Sequence, residues 1–219
     1  MKQLWLAMAV AFSPVCFGDE PEAPAVADAP AAPVIETAAA ERARWAGSFG
    51  LNLGGADLGV GYTSGRRTGF LVGPQIEAPL SGANYLQVDV LYYEAGYTQL
   101  ISGTEYDVRV SQVKIPVLGK HKIVLGPNTR LSLGGGGYFA FKLNSQANGG
   151  GNTLDLNSVT AGTFFGLEAL VGVEFFYKGD NAFFADVRYC HGLTNGATGA
   201  GSQAYGRDLN LSVGLRGSL

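Results

Sequence analysis

The fold is decided by residues 163–193, whose sequence is TFFGLEALVGVEFFYKGDNAFFADVRYCHGL. From Phe165 to Tyr177 every second residue is apolar or aromatic, whereas the intervening series carries two glutamates and two glycines. A turn cluster follows at residues 178–181, and the alternation then resumes through Cys190. Because successive side chains of a strand point to opposite faces, this pattern predicts a hairpin of two long strands.

The apolar face of this hairpin predicts its surroundings. It is continuous over about a dozen residues, and a tilted strand needs about 9–11 residues to cross a bilayer. The other face is sparsely charged and is spaced by small and aromatic residues, as in a narrow packed interior. In a soluble sheet the apolar face would be buried and the mixed face would meet water. We therefore predict a transmembrane β-barrel whose apolar face contacts lipid.

Composition and the N-terminus predict the location of the protein. The chain has 219 residues and a formal net charge of −3, which argues against a nucleic-acid-binding protein with its usual basic patch. Lys2 and the apolar run from Leu4 to Phe12 predict an export signal that is cleaved after Gly18. Lipidation of Cys16 is an alternative to this cleavage. No other run is long enough to cross a membrane as a helix, so any crossing must use strands.

We expect three regions in the chain. Residues 1–18 are a signal peptide, residues 19–43 are an Ala/Pro-rich disordered periplasmic tether, and residues 44–219 are an outer-membrane β-barrel. Cleavage would leave Cys190 as the only cysteine, so no internal disulfide can form and barrel closure must supply the stability.

Alternation along residues 44–219 predicts eight strands. Tight turns at 81–84, 126–128 and 178–181 alternate with mostly longer connections at 54–67, 101–105, 142–161 and 194–206. Short turns on one rim and longer loops on the other are typical of outer-membrane barrels. The predicted fold is all-β: an eight-stranded antiparallel up-and-down transmembrane β-barrel, with both chain ends and the short turns in the periplasm.

Two irregularities are expected within these strands. Pro74 lies inside the second strand and cannot donate to a ladder, which suggests a bulge there. In the fourth strand, Val108 and Val110 have one parity, whereas the apolar residues from Val113 to Val117 have the other. One inserted residue near Ser111 would reconcile the two series.

Four short patches resemble a known family. In order and spacing they resemble the PorT-like outer-membrane β-barrel family, which is similar in architecture to small eight-stranded OmpA/OmpX-type barrels, over about residues 45–219. The patches are Leu51–Leu53 (LNL), Gly69–Gly73 (GFLVG), Val113–Leu118 (VKIPVL) and Arg188–Asn195 (RYCHGLTN). Many such barrels end in an aromatic residue that the insertion machinery reads, whereas this chain ends in Leu219. The resemblance implies a fold and a bacterial outer-membrane location, and it implies no single activity.

The inner face of the predicted barrel carries charges of both signs. An eight-stranded interior is just wide enough for side chains to fill, and buried charges must pair. We therefore predict a lumen charge network of ion pairs, with a proton or ion path and a hydrolytic carboxylate pair as alternatives. Its members are Glu77, Asp89, Lys114, Arg130, Glu168, Glu174, Asp186, Arg188 and Arg216.

The two histidines, His121 and His191, fall near opposite rims, so they predict neither a catalytic triad nor a metal site. We expect no enzyme activity and no catalytic, cofactor-binding or metal-binding residues. The predicted function is an outer-membrane integral β-barrel protein with a structural or surface-interaction role, whose loops form the variable recognition surface. A small-solute or ion porin is one alternative, and a secreted lipocalin-like carrier with an apolar lumen is another. The expected partners are outer-membrane lipid, the barrel-insertion machinery and an unidentified extracellular or periplasmic protein, and no nucleic acid.

Overall fold

The computed structural model describes residues 42–58, 64–101, 103–198 and 204–218. The predicted signal peptide and residues 19–41 of the predicted tether lie outside the described residues. Within the described ranges, no helix is long and apolar enough to cross a membrane. The strand segments are β1 (Arg44–Asp57), β2 (Ser64–Ser81), β3 (Asn84–Asp89), β4 (Leu91–Ile101), β5 (Thr104–Gly126), β6 (Thr129–Gly149), β7 (Asn152–Asp155), β8 (Thr163–Lys178), β9 (Asn181–Gly192) and β10 (Tyr205–Ser218).

These segments close into a ring of eight strands. β1 pairs with β2 on one side and with β10 on the other, which closes the sheet on itself. β3 and β4 form a single strand that keeps one register with β5 and is interrupted at Val90. β7 pairs with the far end of β6. All pairings are antiparallel, and each ring strand lies beside its neighbours in the chain. The predicted eight-stranded up-and-down barrel is confirmed.

The two faces of each strand differ in the way that the sequence predicts. In β8, Phe165 and Val171 are 50% and 52% exposed, whereas Glu168 and Glu174 are buried. The same alternation runs through β9 and β10. The exterior is therefore apolar and the interior polar. This is the arrangement of a barrel in lipid, and it is the reverse of what a soluble lipocalin-like carrier requires.

The prediction of a bulge at Pro74 is wrong. β2 keeps one register with β1, β3 and β4 on both sides of this residue. The amide of Val90 donates to the carbonyl of Pro74 at 3.0 Å, but Pro74 has no N–H with which to return the bond. The proline therefore interrupts the neighbouring strand at Val90 without shifting the pairing. The register of β2 against β4 shifts instead between Arg66 and Leu71.

The bulge predicted near Ser111 occurs at this position, but the prediction that the inserted residue belongs to this strand is wrong. β5 keeps its register with β4 across this position, and its even-numbered residues face inward from Val108 to Lys122. The extra residue lies on the partner strand: Ser111 and Gln112 pair with Asn144 and Lys142, which leaves Leu143 between them. The two valines on the inner parity, Val108 and Val110, line the outer part of the lumen.

The predicted loop at 142–161 is largely ordered secondary structure. β6 continues to Gly149, and β7 returns from a tight turn in which Gly150 and Gly151 have φ angles of 58° and 78°. Positive φ favours glycine, because glycine has no Cβ to clash there. Residues 156–161, here called the strap, then fold back toward the barrel before β8 begins. This hairpin and the strap extend the long-loop rim, which is the outer rim of a barrel in the outer membrane.

Candidate functional site in the barrel lumen

The lumen is filled by paired charges. Among the described residues, seven basic and seven acidic side chains are buried, so the formal charge of the interior balances. Buried ions are tolerated only when opposite charges and hydrogen bonds replace the water that they lose. The basic members are Arg44, Arg67, Lys114, Lys120, Lys122, Arg188 and Arg216, and the acidic members are Glu77, Asp89, Glu94, Glu168, Glu174, Asp186 and Asp208.

An inner cluster occupies the short-turn end of the lumen. Two carboxylates, Glu77 from β2 and Glu174 from β8, face each other across the lumen and are surrounded by four cations, three of which contact both carboxylates. Lys122 contacts both carboxylates, and so does Arg216. Lys120 Nζ lies 3.3 Å from Glu77, and Arg44 donates to Glu174 at 3.2 Å. These contacts connect strands that are not neighbours in the sheet, so they link opposite walls of the barrel.

A middle cluster centres on Arg188. Its guanidinium contacts three carboxylates: Asp89 at 2.6 Å, Glu168 at 3.1 Å and Asp186 at 3.2 Å. Asp89 belongs to β3 and Arg188 to β9, which do not pair in the sheet, so this contact spans the lumen. Charge-assisted hydrogen bonds of this length are stronger than neutral ones. Arg188 is 2% exposed, so little water competes for these bonds.

Lys114 lies next to the middle cluster. Its ammonium is 2.9 Å from Glu168 and donates to the sulfur of Cys190 at 2.9 Å. It also lies over two aromatic rings, 4.6 Å from the centroid of Tyr93 and 4.2 Å from that of Tyr138. An ammonium over an aromatic face is attracted by the negative face of the ring. The lysine and the two tyrosines therefore close the lumen at this level.

The lumen contains a cavity on the outer side of this layer. This cavity of about 320 Å³ lies at the outer end of the barrel, with a mainly apolar lining that the strap helps to form. We call it the outer cavity. Its polar wall includes Asp208 and Gln112, and its apolar wall includes Val108, Val110, Phe164 and Leu156.

The structure places the nine residues of the predicted lumen charge network at two levels. Eight are buried: Glu77, Glu174 and Arg216 lie in the inner cluster, and Asp89, Lys114, Glu168, Asp186 and Arg188 lie in or beside the middle one. Arg130 is half-buried at the short-turn rim, where its guanidinium lies 4.8 Å from the ring centroid of Phe176.

Sequence reasoning missed several cations of the inner cluster. Arg44 begins β1, and Lys120 and Lys122 lie near the end of β5. The two lysines share the even parity of Lys114, so the alternation of β5 contains the signal that places them inside. Cys190 was also missed, although it follows Arg188 on the inner face and is fully buried.

The described part of the chain offers no group of three or more His, Cys, Asp and Glu side chains that could hold a metal ion. His121 is exposed and hydrogen-bonds Asn84 at 2.9 Å, and His191 lies on β9, so the two histidines belong to different surroundings. The chemistry that this lumen supports is charge pairing within a packed interior.

Comparison with known proteins decides the family. A family model described as outer membrane protein beta-barrel domain matches residues 31–197. The chain belongs to this family. Its members are placed in the bacterial outer membrane, so the apolar exterior of this barrel faces outer-membrane lipid. A search of curated protein sequences finds no match.

Two solved structures resemble this outer membrane protein beta-barrel domain. Neisserial surface protein A is 16% identical with a TM-score of 0.52, and the match covers 82% of this chain and 100% of that chain. OprG from Pseudomonas aeruginosa is 11% identical with a TM-score of 0.50, and the match covers 80% of this chain and 94% of that chain. At such identities the likeness concerns the fold alone.

Proposed function

We propose that this protein is a closed outer-membrane scaffold that acts through its outer loops, and that it is not a solute pore. The observation that carries this proposal is the bracing of the lumen by ion pairs between strands that face each other. Arg188 reaches Asp89 from across the barrel, and the inner cluster joins Glu77 to Glu174 through shared cations. A porin needs an aqueous lumen, whereas these side chains fill the space and form ion pairs with one another.

The outer rim supports the surface-interaction part of the proposal. β6 and β7 extend beyond the ring as a hairpin, and the strap adds ordered backbone at the same rim. Loops held by a rigid scaffold are where binding residues concentrate in proteins. The partner in this proposal is a molecule outside the cell or in the cell envelope, and catalysis is not part of the role.

Several features complete the proposal. We infer PorT-like membership within the outer membrane protein beta-barrel domain family, because the four sequence patches agree with that group.

We also propose an organisation of the chain. Residues 1–18 act as a cleaved signal peptide, residues 19–43 form a periplasmic tether to the barrel of residues 44–219, and the barrel-insertion machinery assembles the chain.

Electrical recording tests the closed lumen. Purified protein that has been folded into planar lipid bilayers should give no steady current above that of protein-free bilayers, because paired side chains occupy the path. Heat-modifiable migration of the same sample on gels would show that the barrel is folded. A steady wild-type conductance whose reversal potential shifts toward cation selectivity in Arg188→Ala would contradict the proposal and support a pore.

A further inference from the structure

The outer cavity has properties that a closed scaffold does not require. It encloses about 320 Å³ and is lined mainly by apolar side chains, whereas the inner and middle clusters fill the lumen below it with paired charges. Small-molecule sites are typically concave, mostly apolar and marked by a few placed polar groups. We propose that the outer cavity binds a small amine with an apolar body, whose ammonium group meets the carboxylate of Asp208.

The apolar wall is built from two sources. Val108 and Val110 project from β5 on the same parity as the charged residues below them, so this strand changes from polar to apolar as it leaves the middle cluster. Phe164 of β8 faces the same space, and the strap adds Leu156 and Val159. Val159 belongs to the strap and not to a lipid-facing strand. Its side chain is 49% exposed, so it is accessible to a ligand.

The strap is held in place without a ligand. Its hydrogen bonds reach both β6 on one side and the connection between β9 and β10 on the other. A wall that is already ordered loses little entropy when a ligand binds, which favours affinity. The bonds are those from Lys142 Nζ to the carbonyls of Asn157 and Thr160 at 2.6 Å, from Ala161 N to Gly196 O at 2.9 Å and from Thr198 N to Val159 O at 3.0 Å, and one between the hydroxyls of Ser145 and Thr160 at 2.9 Å.

Asp208 gives the cavity its polar end. It is 7% exposed and lines the wall, and among the described residues no lysine or arginine forms an ion pair with it. The neighbouring cation, Lys114, is engaged by Glu168 and Cys190. A carboxylate at the polar end of the cavity favours a ligand that donates charged hydrogen bonds, which an ammonium group does with three donors.

The floor of the cavity makes it a blind site. Tyr138 lines the cavity and also packs over Lys114, whose side chain is almost completely buried. A ligand therefore enters and leaves on the outer side, and it does not pass toward the periplasm. The volume lies at the lower end of the range of about 300–1,000 Å³ for small-molecule sites, so the ligand is a compact molecule.

Methyl NMR of the folded barrel in lipid nanodiscs tests the proposal with benzylamine as the probe. Titration should give saturable shifts at the methyl groups of Val108, Val110 and Val159, and no comparable shifts at the lipid-facing Val171 and Val213. Benzyl alcohol has a similar shape and no charge, so it should bind at least tenfold more weakly. Equal shifts at the cavity and lipid-facing methyls would mean that the amine only partitions into lipid, and would overturn the proposal.

The variant Asp208→Asn tests the role of the carboxylate. It keeps the size of the side chain, so we expect at least a tenfold loss of benzylamine affinity and unchanged binding of benzyl alcohol. The matched control is Asp107→Asn, which removes an acid at the outer end of β5 that pairs with Arg67 and does not line the cavity. Unchanged benzylamine affinity in Asp208→Asn would contradict the proposal. If that variant does not fold, the preference of the wild-type protein for benzylamine over benzyl alcohol decides the question.

Discussion

At the scale of the residue, the absence of a Cβ atom at a glycine allows β5 and β6 to approach each other closely. The run Gly134–Gly137 on β6 alternates between the two faces of the barrel. A Cβ on Gly136 would lie 2.1 Å from the carbonyl oxygen of Val117 on β5, closer than any real contact. A Cβ on Gly135 would meet its nearest atom, the carbonyl oxygen of Glu168, at 3.5 Å, which is an ordinary contact. Gly136 and Gly135 are neighbours in the same glycine run, but only Gly136 lies where a Cβ atom would clash.

This difference predicts unequal effects of the same substitution. Gly136→Ala should destabilise the folded barrel by about 1–3 kcal/mol, because an added methyl group in a filled space forces the backbones apart. Gly135→Ala is the matched control and should change the free energy of unfolding by less than about 0.5 kcal/mol, as is usual away from such constraints. Urea unfolding in lipid vesicles measures both. Equal losses in the two variants would show that the close approach of the strands is not the cause.

At the scale of the element, the β8–β9 hairpin joins the two environments of the barrel. Its outward apolar residues, from Phe165 to Tyr177 and from Phe183 to Tyr189, face lipid, and its inward residues supply Glu168, Glu174, Asp186 and Arg188 to the charge clusters. A shift of one residue in register would move the charges into lipid and the apolar side chains into the lumen. The hairpin therefore holds its register strongly.

A charge on the lipid face of this hairpin should be costly. Val171 is near the middle of β8 and is half exposed to the lipid side, so Val171→Arg should reduce the free energy of unfolding by about 2–4 kcal/mol. Val171→Leu keeps the apolar surface and serves as the control. The measurement is urea unfolding of vesicle-inserted protein. Wild-type stability of Val171→Arg would mean that this face does not contact the hydrocarbon core.

The elements differ in how far the sequence predicts them. The strand count, the closure of the barrel and the two faces of β8 and β9 follow from alternation, because lipid on one side and a packed lumen on the other enforce it. The β6–β7 hairpin and the strap lie beyond this constraint, and their polar sequence resembles that of an unstructured loop. Pro74 and Leu143 show a second limit, because a proline or an extra residue on one strand is accommodated by its partner, which is far away in sequence.

At the scale of the whole molecule, the lumen acts as the hydrophobic core does in a soluble protein. Lipid covers the outer face of the strands whether the sheet is closed or open. Apolar contacts with lipid therefore do little to stabilise the closed barrel over an open sheet. The charge clusters instead tie opposite walls together, as Arg188 does with Asp89 and as Lys122 does with Glu77 and Glu174. Breaking one buried pair leaves a charge without its partner, which typically costs about 3–5 kcal/mol.

The candidate site was partly predictable for the same reason. Parity assigns a residue to the interior, so it identifies Glu174 or Arg188 from a single strand. It does not say which residues meet, because partners such as Arg188 and Asp89 come from opposite walls. The outer cavity was harder to predict from the sequence. Val108 and Val110 are as hydrophobic as lipid-facing residues, but their parity places them in the lumen.

A double-mutant cycle between Arg188 and Asp89 tests the central claim, that the lumen is a packed core of paired charges. The free energy of unfolding in lipid vesicles is measured for the wild type, Arg188→Ala, Asp89→Asn and the double variant. We expect Arg188→Ala to lose about 3–5 kcal/mol and the double variant to recover part of that loss, with a coupling of about 0.5–3 kcal/mol. In a water-filled lumen these charges would be screened. A loss below about 1 kcal/mol in Arg188→Ala, with effects that simply add in the double variant, would contradict the claim.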